Sequence, residues 1–167
     1  IMRFVGWDAS HDKGHVGLSI DSKITAVKAF SKYAKIFISS EKDLPHELED
    51  FKILIPPELI HHAITFASLV YGESATMTSE AAVLGTPAIY IDNEGRGYTN
   101  EQEKIYGIVH NFRESNDEQE KSILKGLEIL KMNQRNNVHK REKNIINDKI
   151  DLTGWMINYV ESKKYLK

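Results

Sequence analysis

YGESATMTSEAAVLGTPAIYID, residues 71–92, contains a complete structural sentence. A small polar cluster opens an alanine-rich segment, Thr76 to Leu84, with helical character; Gly85-Thr86-Pro87 turns the chain; PAIYID leaves as an apolar strand. With LVYG (69–72) before it, the stretch predicts strand, helix, strand, which is one crossover unit of a parallel sheet. The same rhythm extends upstream. MRFVGWDA (2–9), KIFISS (35–40) and KILIP (52–56) read as strands, separated by a helix from Asp21 to Tyr33 with Asp21 as N-cap, a short helix in DLPHELEDF (43–51), and a helix from Pro57 to Ala67. Downstream, NEGRGYTNEQE (93–103) leads into a helix near Glu101 capped by Thr99 or Asn100, and GIVHNF (107–112) is a last short strand. Apolar Ile123, Leu124, Leu127 and Leu130 recur at helical spacing, and Asp151 can cap a final helix with Leu152, Trp155, Met156, Tyr159 and Val160 on one stripe. The polar stretch 131–149 reads as a solvated helix face or connection. The expected architecture is a Rossmann-like α/β three-layer sandwich with a mostly parallel sheet.

Composition narrows the function classes. The chain has 167 residues, the size of one domain, and begins inside an apolar strand-like run, which suggests a piece of something longer. Lysine and arginine number 22 against 24 acidic residues, a net charge of −2, too weak a field for a nucleic-acid backbone. Cysteine is absent, so thiol nucleophiles and zinc–thiolate sites are excluded. No signal-peptide pattern or membrane-length apolar run occurs, and the expectation is a soluble, cytoplasmic domain.

Ligands of open α/β sheets bind beyond the carboxyl ends of the strands, where loops enter helix N-termini. Ser74 to Met77 occupies such a place. The unpaired N–H groups and positive dipole end of that helix, with the hydroxyls of Ser74 and Thr76 or Thr78, suit a phosphate. Glu80 lies four residues past Thr76 on the same helix face, about 6 Å along the axis, where a carboxylate can accept ribose hydroxyls. A plain capped helix with Glu80 in water explains the same pattern. Neither G-x-x-x-x-G-K-[ST] nor a G-x-G-x-x-G after the first strand is present, which removes ATPase and ordinary NAD-binding readings. His11 and His15 have a spacing that could suit a metal, but a glycine-containing loop does not hold them on one helix face, and no metal is expected.

GESATMTSEAAVLGTPAIYID resembles the nucleotide-diphosphate motif in the C-terminal half of double-Rossmann (GT-B) glycosyltransferases. It is similar to that of the lipid II N-acetylglucosaminyltransferase and of the non-hydrolysing UDP-N-acetylglucosamine 2-epimerases. Together with WDASHD, FISSE and IPPELIH, it resembles the ordered blocks of a prokaryotic family of glycosyltransferase-like proteins, over about Phe4 to Tyr106. The resemblance implies half of a GT-B fold, with Ser74 and the backbone of Ala75, Thr76 and Met77 on a diphosphate and Glu80 on the ribose. It further implies Ile55, Pro56 and His61 beside the base, and Glu101, Gln102 and Arg96 at the donor sugar. The first loop would supply Lys13 to the diphosphate and Asp8 and His11 to catalysis; it lacks the arginines that accompany the histidine in the epimerases.

The resulting expectation is a single domain, residues 1–167, that binds a UDP-linked sugar as substrate without a cofactor and forms part of a glycosyltransferase. Its partners would be the nucleotide sugar and an N-terminal domain on which 151–164 packs, with self-association through that helix as another use of it. A 2-epimerase domain and a non-catalytic nucleotide-binding module are the rival readings. An isolated half would be inactive, because the acceptor site belongs to the other half.

Overall fold

The computed structural model describes residues 1–7, 14–132 and 145–164; Asp8, His11, Lys13 and the stretch 133–144 lie outside the described residues. Five short strands, β1 (Met2–Phe4), β2 (Ile38–Ser40), β3 (Val70–Gly72), β4 (Ala88–Ile91) and β5 (Val109–Phe112), form an all-parallel sheet in the order β2-β1-β3-β4-β5. KILIP, expected as a strand, contributes only a parallel bridge between Lys52 and Ile38, with Ile53 N–H donating to Ile38 O at 2.8 Å. It lies on the outer side of β2, and its Leu54 is 88 % exposed, so little burial rewards a longer ladder there. Counting this bridge as the outermost position, the chain crosses the sheet in the doubly wound 3-2-1-4-5-6 order, whose switch point lies between β1 and β3.

Side chains of successive strand residues point to opposite faces, and the core divides accordingly. Tyr71, Ile89 and Ile91 join Ala26, Val27 and Phe30 of α1 (Ile20–Phe30) and Ile123 and Ile129 of α5 (Asn116–Lys131). Val70 and Ala88 instead meet Ile64 of α2 (Ile60–Phe66) and Ala81 and Ala82 of α3 (Ala75–Val83). Helix α4 (Gly97–Lys104) flanks α3. Both faces of the sheet are covered, which explains why β4 is buried at every residue and reads as a continuous apolar run.

Local details depart from expectation. Ser19, not Asp21, caps α1, its side chain accepting from Ser22 N–H at 3.1 Å; Asp21 sits in the first turn. DLPHELEDF forms a 3-10 helix, His46–Phe51, and a second one, Pro57–Leu59, precedes α2. Helix α4 begins at Gly97, earlier than expected, and Thr99 lies inside its first turn, accepting from Arg96 N–H and donating to Arg96 O. In α5 the buried line runs through Gln119, Ser122, Ile123, Gly126 and Ile129, whereas Leu124 is exposed.

Gly126 is where α5 crosses α1: an added Cβ would stand 2.5 Å from Phe30 Cζ. Alanine normally gains about 1 kcal/mol over glycine inside a helix. Here Gly126→Ala is expected to destabilise by about 1–3 kcal/mol, the range for overpacking a core. Urea melts of the two proteins measure the sign; a more stable variant would mean that α5 and α1 are not packed this closely.

The terminal helix, Leu152–Lys164, opens with Gly154 N–H donating to Asp151 Oδ1 at 3.0 Å. Its Trp155, Met156, Tyr159 and Val160 are 52–57 % exposed, and the Trp155 and Tyr159 rings stack at 5.4 Å. Among the described residues no helix is long and apolar enough to cross a membrane.

Candidate functional site at the carboxyl edge of the sheet

An acidic residue follows each of β2 to β5: Glu41, Glu73, Asp92 and, one residue later, Glu114. Three of them bind the segment that joins β1 to α1. Glu41 Oε2 accepts from Gly6 N–H at 2.8 Å, and its other oxygen pairs with Arg3. Glu73 bridges the two ends of the segment: Oε2 accepts from Val5 N–H at 2.9 Å and Oε1 from Leu18 N–H at 2.5 Å, with Lys23 Nζ 3.5 Å away. Glu114 Oε2 accepts from Val16 N–H and Gly17 N–H at 2.8 and 2.9 Å. Gly17, at φ +63°, permits this convergence, because a Cβ there would lie 2.2 Å from both Glu73 Oε1 and Trp7 Nε1.

His15 stands at the centre of this edge. Its Nδ1 is 2.6 Å from Glu114 Oε1 and 3.9 Å from Asp92 Oδ1, its ring stacks on Trp7 at 5.1 Å, and its side chain is only 7 % exposed. Asp92 in turn accepts from Tyr90 OH at 2.5 Å, from Glu94 N–H at 2.7 Å and from Gly95 N–H at 3.3 Å. The hydrogen bond to Glu114 raises the His15 pKa above the ordinary imidazole value; burial opposes this, and the charges of Asp92, Glu114 and Glu94 reinforce it. Burial would lift the Glu114 carboxyl, but Val16 N–H, the His15 ring and Gly17 N–H outweigh it and hold the group below its usual range. Asp92 is likewise lowered, burial being overcome by Tyr90, Glu94 N–H, Arg96 and Gly95 N–H.

The donor atoms of His15, Asp92 and Glu114 lie within 4.8 Å of one another, and imidazole with two carboxylates is a set that can hold a divalent cation. Both carboxylates also accept backbone donors, and the short Nδ1–Oε1 contact pairs the His15 ring with Glu114.

The start of α3 has the expected form. Ser74 is the N-cap, its Oγ accepting from Met77 N–H at 3.3 Å. Met77 N–H is thereby engaged, leaving the N–H groups of Ala75 and Thr76 directed out of the first turn. Further along α3, Glu80 Oε2 meets His61 Nε2 of α2 at 3.3 Å, and both line a groove of about 270 Å³ with Ser79, Val83 and Leu84. Two residues read separately from the sequence, Glu80 and His61, are thus neighbours.

The others are dispersed. Pro56 is exposed at the start of the Pro57–Leu59 turn, and Ile55 lines a mainly apolar cavity of about 430 Å³ with Met2, Phe37, Phe66 and Leu69, at the amino ends of the strands. Glu101 pairs with Lys149 at 2.5 Å on the surface. Gln102 is buried and donates to Ser79 Oγ at 2.8 Å, tying α4 to α3. Arg96 lies 3.7 Å from Asp92 and 3.8 Å from Glu94. Glu101 and Gln102 therefore face different ways: neighbours on a helix are about 100° apart, and packing on α3 turns Gln102 inward. Sequence reasoning missed Glu73, Asp92 and Glu114, and weighed His15 only together with His11, which lies outside the described residues. A visible signal was available, the acidic residue closing each apolar run.

By fold and edge geometry the chain is a Rossmann-like α/β protein with a carboxylate-anchored first loop. No protein-family model and no curated protein matches it.

Proposed function

We propose that this chain is the nucleotide-sugar-binding domain of a GT-B-type glycosyltransferase, with a UDP-linked sugar as donor. The observation that carries the reading is the meeting of Glu80 and His61, from two helices, over a groove beside the helix that Ser74 caps. A diphosphate fits the N–H groups of Ala75 and Thr76 and the dipole of α3, and a ribose further along that helix reaches Glu80. His61 then lies beside the base. The neighbouring carboxylates do not oppose this placement strongly, because Glu73, Asp92 and Glu114 are each covered by internal donors. Such a site contributes positioning and neutralisation of a departing diphosphate.

Calorimetric titration with UDP, GDP, CDP and dTDP tests the reading. Glu80→Ala is expected to weaken UDP binding by about 1.5–3 kcal/mol, the range for hydrogen bonds to a charged group, and to affect 2′,3′-dideoxy-UDP far less. Ser74→Ala should lower both affinities alike. Failure of the folded domain to bind any nucleoside diphosphate, or equal loss of both ligands in Glu80→Ala, overturns the assignment.

A further inference from the structure

We infer that the apolar cavity at the amino ends of the strands binds a single-chain amphiphile, an alkyl chain that carries an anionic head. The cavity measures about 430 Å³, within the range of small-molecule sites, and lies on the edge of the sheet opposite the proposed nucleotide site. Buried Phe30, Ile36, Leu69 and Tyr71 form part of its wall. The Tyr71 hydroxyl is engaged by Ser122 at 2.8 Å, so this residue adds ring surface rather than a polar partner. Such a wall suits hydrocarbon better than water, which needs several polar partners to be held. Tyr33 and Phe37, 49 % and 37 % exposed, carry the lining out to the surface.

Charge at the rim selects the head. Lys35, itself a lining residue, holds its Nζ 5.2 Å from the centre of the Phe37 ring, and Lys131 holds its own 5.6 Å from the centre of the Tyr33 ring. Two ammonium groups thus stand on the two aromatic rings that border the mouth, and among the described residues neither meets a carboxylate. A lysine lays its stem on apolar surface and keeps its head in water, so an anion at the mouth meets both charges while its chain enters the cavity. The volume sets the rest: at about 30 Å³ for a water-sized group such as a methylene, a chain of about ten carbons fits with room to turn. The two longer chains of a membrane phospholipid exceed that space, and so does a helix, about 10–12 Å across with its side chains.

Sodium decanoate and neutral decanol, each kept below the concentration at which it self-associates, test this on the full chain by methyl NMR and calorimetry. Both are expected to shift the methyl signals of Ile36 and Leu69 and to leave that of Ala82, on the other face of the sheet, unchanged. From octanoate to decanoate, affinity should rise about fourfold per added methylene. Lys35→Gln/Lys131→Gln, at two exposed positions, should weaken decanoate about five- to tenfold and leave decanol within about twofold. Absence of binding, decanoate affinity unchanged in the double variant, or equal loss of both ligands overturns the proposal. So does binding to phosphatidylglycerol vesicles without binding of decanoate, which would make this edge a membrane surface, or a dimer that decanoate does not dissociate, which would make a second copy the occupant. These titrations contain no nucleotide, so their failure and the failure of nucleotide binding are separate results.

Discussion

Gly72→Ala is expected to leave no folded protein at room temperature, a loss of more than about 4 kcal/mol. Gly72 ends β3 at φ +152°, and a Cβ built on it would lie 2.0 Å from the carbonyl oxygen of Arg3. That oxygen cannot step aside. It belongs to β1, Arg3 is paired with Gly72 in the parallel ladder, and it accepts from Glu73 N–H at 3.0 Å. The clash therefore falls on the β1–β3 pairing at the centre of the sheet, where the two halves of the fold join. Circular dichroism and urea melts read the effect; a variant within about 1 kcal/mol of the parent would show that the strands do not approach this closely.

Glu73→Ala is expected to destabilise by about 3–5 kcal/mol, the cost of breaking a buried charged pair by removing one partner. Its side chain is fully buried, and its loss strands the N–H groups of Val5 and Leu18 and leaves Lys23 without its carboxylate. Glu80→Ala, seven residues further on, should change stability by no more than about 0.5 kcal/mol, because that carboxylate is 38 % exposed and its His61 partner 56 % exposed. The two glutamates of one motif thus separate by assay: Glu73 is read in the melt, Glu80 in the nucleotide titration. A Glu73→Ala protein as stable as the parent would mean that the β1–α1 segment is held by something other than this carboxylate.

The difference between these two residues is set by contacts distant in sequence. Glu73 stands beside Ser74 in a polar turn, which is the local signature of an exposed cap. It is buried only because Val5 and Leu18, 68 and 55 residues away in sequence, fold across it. Glu80 lies on an alanine-rich helix, where the pattern alone is equally explained by a carboxylate in water; its partner is His61, whose helix reaches it after a crossover from the far edge of the sheet. Sequence patterns placed α3 and β4 within a residue or two of their observed bounds, because burial of both sheet faces leaves an uninterrupted apolar run and the Gly85-Thr86-Pro87 turn punctuates it. KILIP has the same apolar run but lies at the rim, and the run alone does not reveal how much of it will be covered.

What the sequence by itself determined is the alternation of strand and helix, the cap at Ser74 and the class of fold, since periodicity and capping are local interactions between residues a few positions apart. Only the tertiary structure decided which carboxylates anchor the first loop, that His15 sits between Asp92 and Glu114, that Gln102 turns inward while Glu101 does not, and that Glu80 faces His61. Each of those depends on which strand ends become neighbours, and that is set by packing two helical layers onto one sheet in a particular strand order, a property no window along the chain contains.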